Sequence, residues 1–171
     1  MSETPLSESV LTTARLRLRR ARPDDLEDLH AVFSRREAMR YWSTPPHASL
    51  GQTRAFLEAM IAAPVESSDD YVVEHEGRVI GKAGCWKIPE IGFVLHPDAW
   101  GLGLAAEALT AVIARVFAAH PIPAITADVD PRNARCLKLL ARLGFRETHR
   151  ALGAWRVGDE WCDSVYLALP R

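Results

Sequence analysis

Apolar and polar residues alternate through Arg15-Leu-Arg-Leu-Arg19, a period of two that predicts a half-buried strand. The period then lengthens. Pro23 stands at a favoured first-turn position with Asp24 and Asp25 at the positive end of a helix, and Leu26, Leu29 and Phe33 share its apolar face. His30 lies on that same face, which marks it as a core-edge residue rather than a ligand. Residues 40–47 read as a loop. Ser49 and Gln52 form a capping-box pattern for a second helix, striped by Phe56, Leu57, Met60 and Ile61 and ended by Pro64. Residues 71–75 and 79–86 return to strand patterning, joined as a hairpin around Glu76-Gly77-Arg78. Residues 91–95 are apolar and partly β-branched, which suits a buried strand, and Pro97 and Asp98 stop it. Leu104, Ala105, Ala108, Leu109, Val112, Ile113 and Val116 recur at helical spacing, with Glu107 and Arg115 on the other face. Residues 123–129 form a further apolar strand. Asp130 is placed to cap the next helix, with Pro131 in its first turn and Gly144 at its end. Two last strands fall over residues 145–152 and 162–169, joined through 153–155 and 158–161. The order is strand, two helices, three strands, helix, strand, helix, two strands. It predicts an α+β fold, with a central mixed parallel/antiparallel sheet flanked by helices on both faces.

Length and charge narrow the class. A chain of 171 residues suits a single domain, residues 1–171, with residues 1–10 as a loose lead-in. Hydrophobic content of 48% and charged content of 25% match a soluble globular protein. A net charge of -1 argues against a general nucleic-acid binder, so the arginines of residues 15–19 read as a solvated strand face. Cys85, Cys136 and Cys162 are few, odd in number and without C-x-x-C spacing, which points to the reducing cytoplasm and to no structural zinc. The histidines show no metal-ligand spacing, and no metal is expected. Met1-Ser-Glu-Thr-Pro lacks a basic-then-apolar signal pattern. The longest apolar segment, residues 101–119, contains Glu107 and Arg115 and reads as a buried amphipathic helix, so no membrane span is expected.

The stretch that carries chemistry runs from Glu90 to Leu109, as strand, sharp turn, Gly-rich loop and helix. Gly101 and Gly103 admit backbone conformations closed to other residues. A Gly-rich loop opening a helix offers unpaired N–H groups at the positive end of the dipole, a site for phosphate. A second Gly pattern, Gly77-x-x-x-Gly81-Lys82, is one residue short of a phosphate loop and lies inside a strand pattern, which excludes it.

Trp100-Gly101-Leu102-Gly103-Leu104-Ala105 resembles the Gln/Arg-x-x-Gly-x-Gly/Ala segment of the GNAT acetyltransferases, with Trp100 departing from the usual Gln or Arg. The fuller string Glu-Ile-Gly-Phe-x-Leu-x-Pro-x-x-Trp-Gly-x-Gly is similar to the RimJ/RimL branch, the ribosomal-protein N-terminal acetyltransferases and their relatives. Asn133-Ala-Arg-Cys136, followed by Leu143-Gly144-Phe145, resembles the family's Asn-x-x-Ser and Leu-Gly-Phe, with Cys136 in place of Ser. The resemblance covers residues 11–169. It implies transfer of acetyl from acetyl-CoA to an amine, either a protein N-terminus or a small molecule, by a monomer or homodimer.

It also implies roles. Phe93, Val94, Leu95, Trp100, Gly101, Leu102, Gly103, Leu104, Ala105 and Asn133 would hold CoA, with backbone N–H groups near Phe93 to Leu95 polarising the carbonyl if the strand splays from its neighbour. Cys136, assisted by Asn133, would protonate the leaving thiolate, or would simply be a small buried apolar residue. Glu90 would be the general base, or a solvated carboxylate at a strand start. Trp42, Trp86 and Asp163 would border the amine acceptor, with Glu160 a further carboxylate, although packing is the plain role for any one tryptophan. Two other classes remain open: a non-catalytic acyl-CoA-binding or interaction module, and an NAD-type enzyme through the degenerate fingerprint Gly101-x-Gly103-x-x-Ala106.

Overall fold

The computed structural model describes residues 9–171, so most of the lead-in, residues 1–8, lies outside the described residues. Strands β1 (Leu11–Thr12), β2 (Leu16–Arg19), β3 (Asp69–His75), β4 (Arg78–Lys87) and β5 (Glu90–Leu95) pair antiparallel in sequence. β5 meets β6 (Ala124–Val129) in parallel. β6 then pairs antiparallel with β8 (Glu160–Pro170), which carries the edge strand β7 (Arg146–Val157). The result is one mixed sheet in the order β1-β2-β3-β4-β5-β6-β8-β7. Helices α1 (Leu26–Phe33), α2 (Arg36–Met39) and α3 (Leu50–Ala62) precede β3, α4 (Leu104–Ala119) joins β5 to β6, and α5 (Ala134–Arg142) joins β6 to β7.

Alternation within the strands decides which helices each face receives. On β6, Ile125, Ala127 and Val129 are buried in one cluster with Leu104, Leu109 and Val112 of α4 and Leu139 and Leu140 of α5. Val94 of β5 joins Leu29 and Phe33 of α1 and Leu57 of α3 in the other. Helices therefore cover both faces of a mixed sheet, as the order of elements predicts.

Four local readings change. Arg19 is buried, not solvated, because Asp25 takes its guanidinium at 2.8 and 2.9 Å and Glu74 takes Nε at 3.0 Å. The loop before α3 contains the extra turn α2, too short to show a period. The cap of α5 is Asn133, whose side chain accepts from the Cys136 amide at 3.2 Å, while Asp130 accepts from the Arg132 amide at 2.9 Å in the preceding turn. Finally, residues 153–155 do not join two strands. β7 runs on through them, with its register to β8 shifted between Ala151 and Trp155.

Candidate active site

β5 and β6 part almost at once. Their paired register consists of Glu90 with Thr126 alone. His96 donates to Ile80 of β4 at 2.7 Å, and alternation along β5 turns the Gly92 and Val94 amides the same way. The Phe93 and Leu95 amides therefore face the gap toward β6, where no ladder partner meets them. A cavity of about 710 Å³ occupies that gap, walled by residues 91–95, 127–130, the loop and first turn of α4, α5, and residues of the α2 segment. Its walls draw on both apolar clusters, so the cavity passes through the sheet. An acyl donor on the α4–α5 side and an acceptor on the α1–α3 side can meet at the amides of β5.

The loop is built to expose its N–H groups. Gly101 and Gly103 have φ of 74° and 77°, the left-handed region that only glycine enters freely. A Cβ on Gly101 would meet nothing within 4 Å, which leaves room for a ligand against the backbone. A Cβ on Gly103 would come only to ordinary contact with Arg15, at 3.5 Å, so it is the backbone angle that requires glycine there. Gly103 begins α4 without a side-chain cap, so the amides of the first turn are free at the positive end of a 16-residue helix. These residues fit the diphosphate of CoA.

A clamp from the other end of the chain holds this loop. Arg15 donates Nη1–H to the Leu102 carbonyl at 2.8 Å, and Nε–H and Nη2–H to Glu107 at 2.7 Å each. Thr13 Oγ1 and the Arg15 amide also donate to Glu107, at 2.6 and 2.8 Å. The Thr13 hydroxyl foremost, then the Arg15 amide and guanidinium, holds the Glu107 carboxyl below the usual range against partial burial. A trans peptide points its C=O and N–H in opposite directions, so fixing the Leu102 carbonyl fixes the Gly103 N–H. The Leu102 side chain is exposed and outside the cavity wall.

Trp100 closes the far end of the gap. Its indole N–H donates to the Leu95 carbonyl at 3.0 Å, and the Arg135 guanidinium of α5 lies 4.6 Å over its ring. Where the family motif has Gln or Arg, this chain has an aromatic plate carrying an arginine from another helix. Arg135, Lys138 and Arg142 all reach the cavity wall and make it basic along α5. Nothing in the loop sequence foretells that contribution.

Asn133 and Cys136 reach the wall together, as their spacing predicts. Burial pushes the Cys136 thiol up to about 12, so it keeps its proton at neutral pH. Trp42 also lines the cavity. Other predicted residues fall outside it. Glu90 stands where β5 and β6 still pair and accepts the indole N–H of the exposed Trp86 at 3.2 Å. Asp163 accepts the Gly153 amide at 2.8 Å, and Glu160 binds Arg132 at 2.6 Å. Besides the α5 cations, sequence reasoning missed Asp128 and Tyr41. Asp128 sits inside an apolar strand pattern, where alternation is the signal that places it on the opposite face from Ala127 and Val129. Tyr41 is held between Arg40 and Arg132, whose guanidinium carbons lie 4.9 and 5.7 Å from its ring.

Residues 15–146 match the family model described as the acetyltransferase (GNAT) domain. The chain belongs to the GNAT acetyltransferases. An uncharacterized N-acetyltransferase, p20, of Bacillus licheniformis is 30% identical over 146 residues, 80% of this chain and 82% of that protein. The [Ribosomal protein uS5]-alanine N-acetyltransferase of Escherichia coli is 37% identical over 79 residues, 46% of this chain and 41% of that enzyme, which supports the RimJ/RimL-like branch. Spermidine N-acetyltransferase from Vibrio cholerae, solved with CoA and spermine, shares the fold at a TM-score of 0.77 and 19% identity, covering 92% of this chain and 96% of that one. This GNAT protein is thus an N-acetyltransferase that uses acetyl-CoA as acyl donor and an amine as acceptor. Among the described residues no helix is long and apolar enough to cross a membrane, and no group of three or more His, Cys, Asp or Glu is gathered for a metal.

Proposed function

We propose that this GNAT protein acetylates a primary amine by direct transfer within the β5–β6 gap. The reading rests above all on the unpaired Phe93 and Leu95 amides facing that gap, beside a glycine loop with free helix-start amides. In this reading acetyl-CoA lies with its diphosphate on residues 101–105 and its pantetheine arm between β5 and β6, past Asn133. The thioester carbonyl accepts from the Phe93 amide, which stabilises the oxygen as charge builds on it.

Cys136 then hydrogen-bonds the departing sulfur and gives up its proton. The raised affinity of Cys136 for its proton keeps the donor fully protonated until the thiolate leaves. Glu90 is the base of this scheme. From the closed end of the gap its carboxylate reaches the amine through water, taking the proton that makes the lone pair available. Trp42 borders the acceptor, with Trp86 and Asp163 as outer flanks. The acceptor is a protein N-terminus or a small amine such as a polyamine, and the protein works in the cytoplasm as a monomer or homodimer.

Release of free CoA thiol from acetyl-CoA, with an alanine-started peptide and with spermidine, identifies the acceptor class. Glu90→Gln should lower kcat/KM for the amine by about 10²- to 10⁴-fold and remove the acidic limb of its pH profile. Superimposable profiles for the two proteins would exclude Glu90 as base.

A further inference from the structure

The acceptor half of the cavity contains a carboxylate that no role above uses. Asp128 is on β6, and alternation with the buried Ala127 and Val129 turns it to the α1–α3 side of the sheet. Continuing the Glu90–Thr126 register by two residues along each strand sets Asp128 across the opened gap from Gly92. Gly92 has no side chain, and a Cβ there would lie 3.9 Å from Trp42 Cη2. The space over Gly92 is therefore a slot, with the Trp42 ring on one side, Asp128 across the gap, and the outward Phe93 amide next along the strand. From β7, Trp155 Nε1–H donates to Asp128 Oδ2 at 2.6 Å. Among the described residues that indole is the only partner of the carboxylate, so Oδ1 keeps its accepting capacity.

We infer that Asp128 anchors the acceptor as its ammonium ion, resting against the Trp42 ring and oriented by Trp155. The inference rests on acetyl transfer in the same cavity. A carboxylate beside an aromatic face suits a primary ammonium, which needs an anion for charge and a π face for its polarised hydrogens. Two of the nearby cations are already matched. Lys82, 5.5 Å from the Trp42 ring, is paired with Asp70 at 2.8 Å, and Arg132 is paired with Asp130 at 2.7 Å and with Glu160. Asp128 is thus left as the negative end of the slot. Trp155 lies at the β7 register shift that follows Ala151.

The test needs no knowledge of the natural acceptor. n-Butylammonium is titrated while the Trp155 indole N–H resonance is followed by NMR, with Trp155→Phe supplying the assignment and n-butanol the neutral isostere. The expected result is a saturable shift with the ammonium and none with the alcohol. In Asp128→Asn, which still accepts from the indole, affinity should fall about 10-fold or more. Calorimetry of acetyl-CoA on the same samples should show no change between the two proteins. An unmoved Trp155 resonance, an equal response to butanol, or undiminished affinity in Asp128→Asn, each with normal acetyl-CoA binding, would overturn the anchor and leave acetyl transfer standing. Failure of acetyl-CoA to bind the unaltered protein would overturn the underlying reading and the anchor with it.

Discussion

Arg15→Ala tests whether the loop of this GNAT protein is held ready for phosphate by a residue that never touches it. The substitution removes the hydrogen bond to the Leu102 carbonyl at 2.8 Å and two contacts to Glu107 at 2.7 Å. Fully buried, each charge-assisted bond would contribute about 1.5–3 kcal/mol. The Arg15 side chain is 46% exposed, so solvent screens them and the set is worth nearer 1–2 kcal/mol. If that energy holds the Gly103 N–H toward the diphosphate, its loss weakens acetyl-CoA binding by roughly 5- to 30-fold. The assay compares two donors under saturating amine. Acetyl-pantetheine ends before the diphosphate and gains nothing from the loop. Arg15→Ala should raise KM for acetyl-CoA by that factor with kcat within about twofold, and leave kcat/KM for acetyl-pantetheine unchanged. Gly103→Val is the control, since a β-branched residue at φ of 77° costs about 1–3 kcal/mol and displaces the loop directly. Equal losses with both donors, or an unaltered KM for acetyl-CoA, would refute the clamp. If Gly103→Val also spared acetyl-CoA, the cradle itself would fall.

Two further outcomes follow from the buried sulfurs. Cys136→Ala should lower kcat about 10²-fold while Cys136→Ser keeps or improves it, because the hydroxyl is a stronger donor in the same place; full activity in the Ala variant would return Cys136 to packing. Burial pushes both Cys85 and Cys136 up to about 12, against about 8.5 for a free thiol. A raised thiol keeps its proton longer in the folded state than in the unfolded one. Stability should therefore fall as pH rises from about 8.5 toward 12, by up to about 1.4 kcal/mol per pH unit for each thiol. Cys85→Ala should make that slope shallower in urea titrations, and an unchanged slope would contradict the assignment.

The sheet, the helix order and the glycine loop were legible because each rests on local patterning. Alternation exposes a strand, a 3.6-residue period a helix, and two glycines before an uncapped helix a phosphate cradle. What escaped depends on distant partners. Arg19 reads as a surface residue until Asp25 and Glu74 close on it. Arg15 looks like half of a polar strand face, yet its partners lie at Leu102 and Glu107. Asp128 is invisible in an apolar run, because its meaning comes from the parting of β5 and β6, which one surviving register pair records and no sequence period does. Glu90 shows the reverse. Its place at the start of the central strand is as expected, but that start lies at the closed end of the gap.

In the proposed reaction the gap between β5 and β6 holds the reacting thioester. A crystal structure with acetyl-CoA bound tests it most directly. The expected complex has the thioester oxygen about 2.7–3.1 Å from the Phe93 amide nitrogen, the sulfur beside Cys136, and the diphosphate on the amides of residues 103–105. A bound acetyl-CoA whose carbonyl lies outside the gap, with the Phe93 amide left unpartnered, would contradict it.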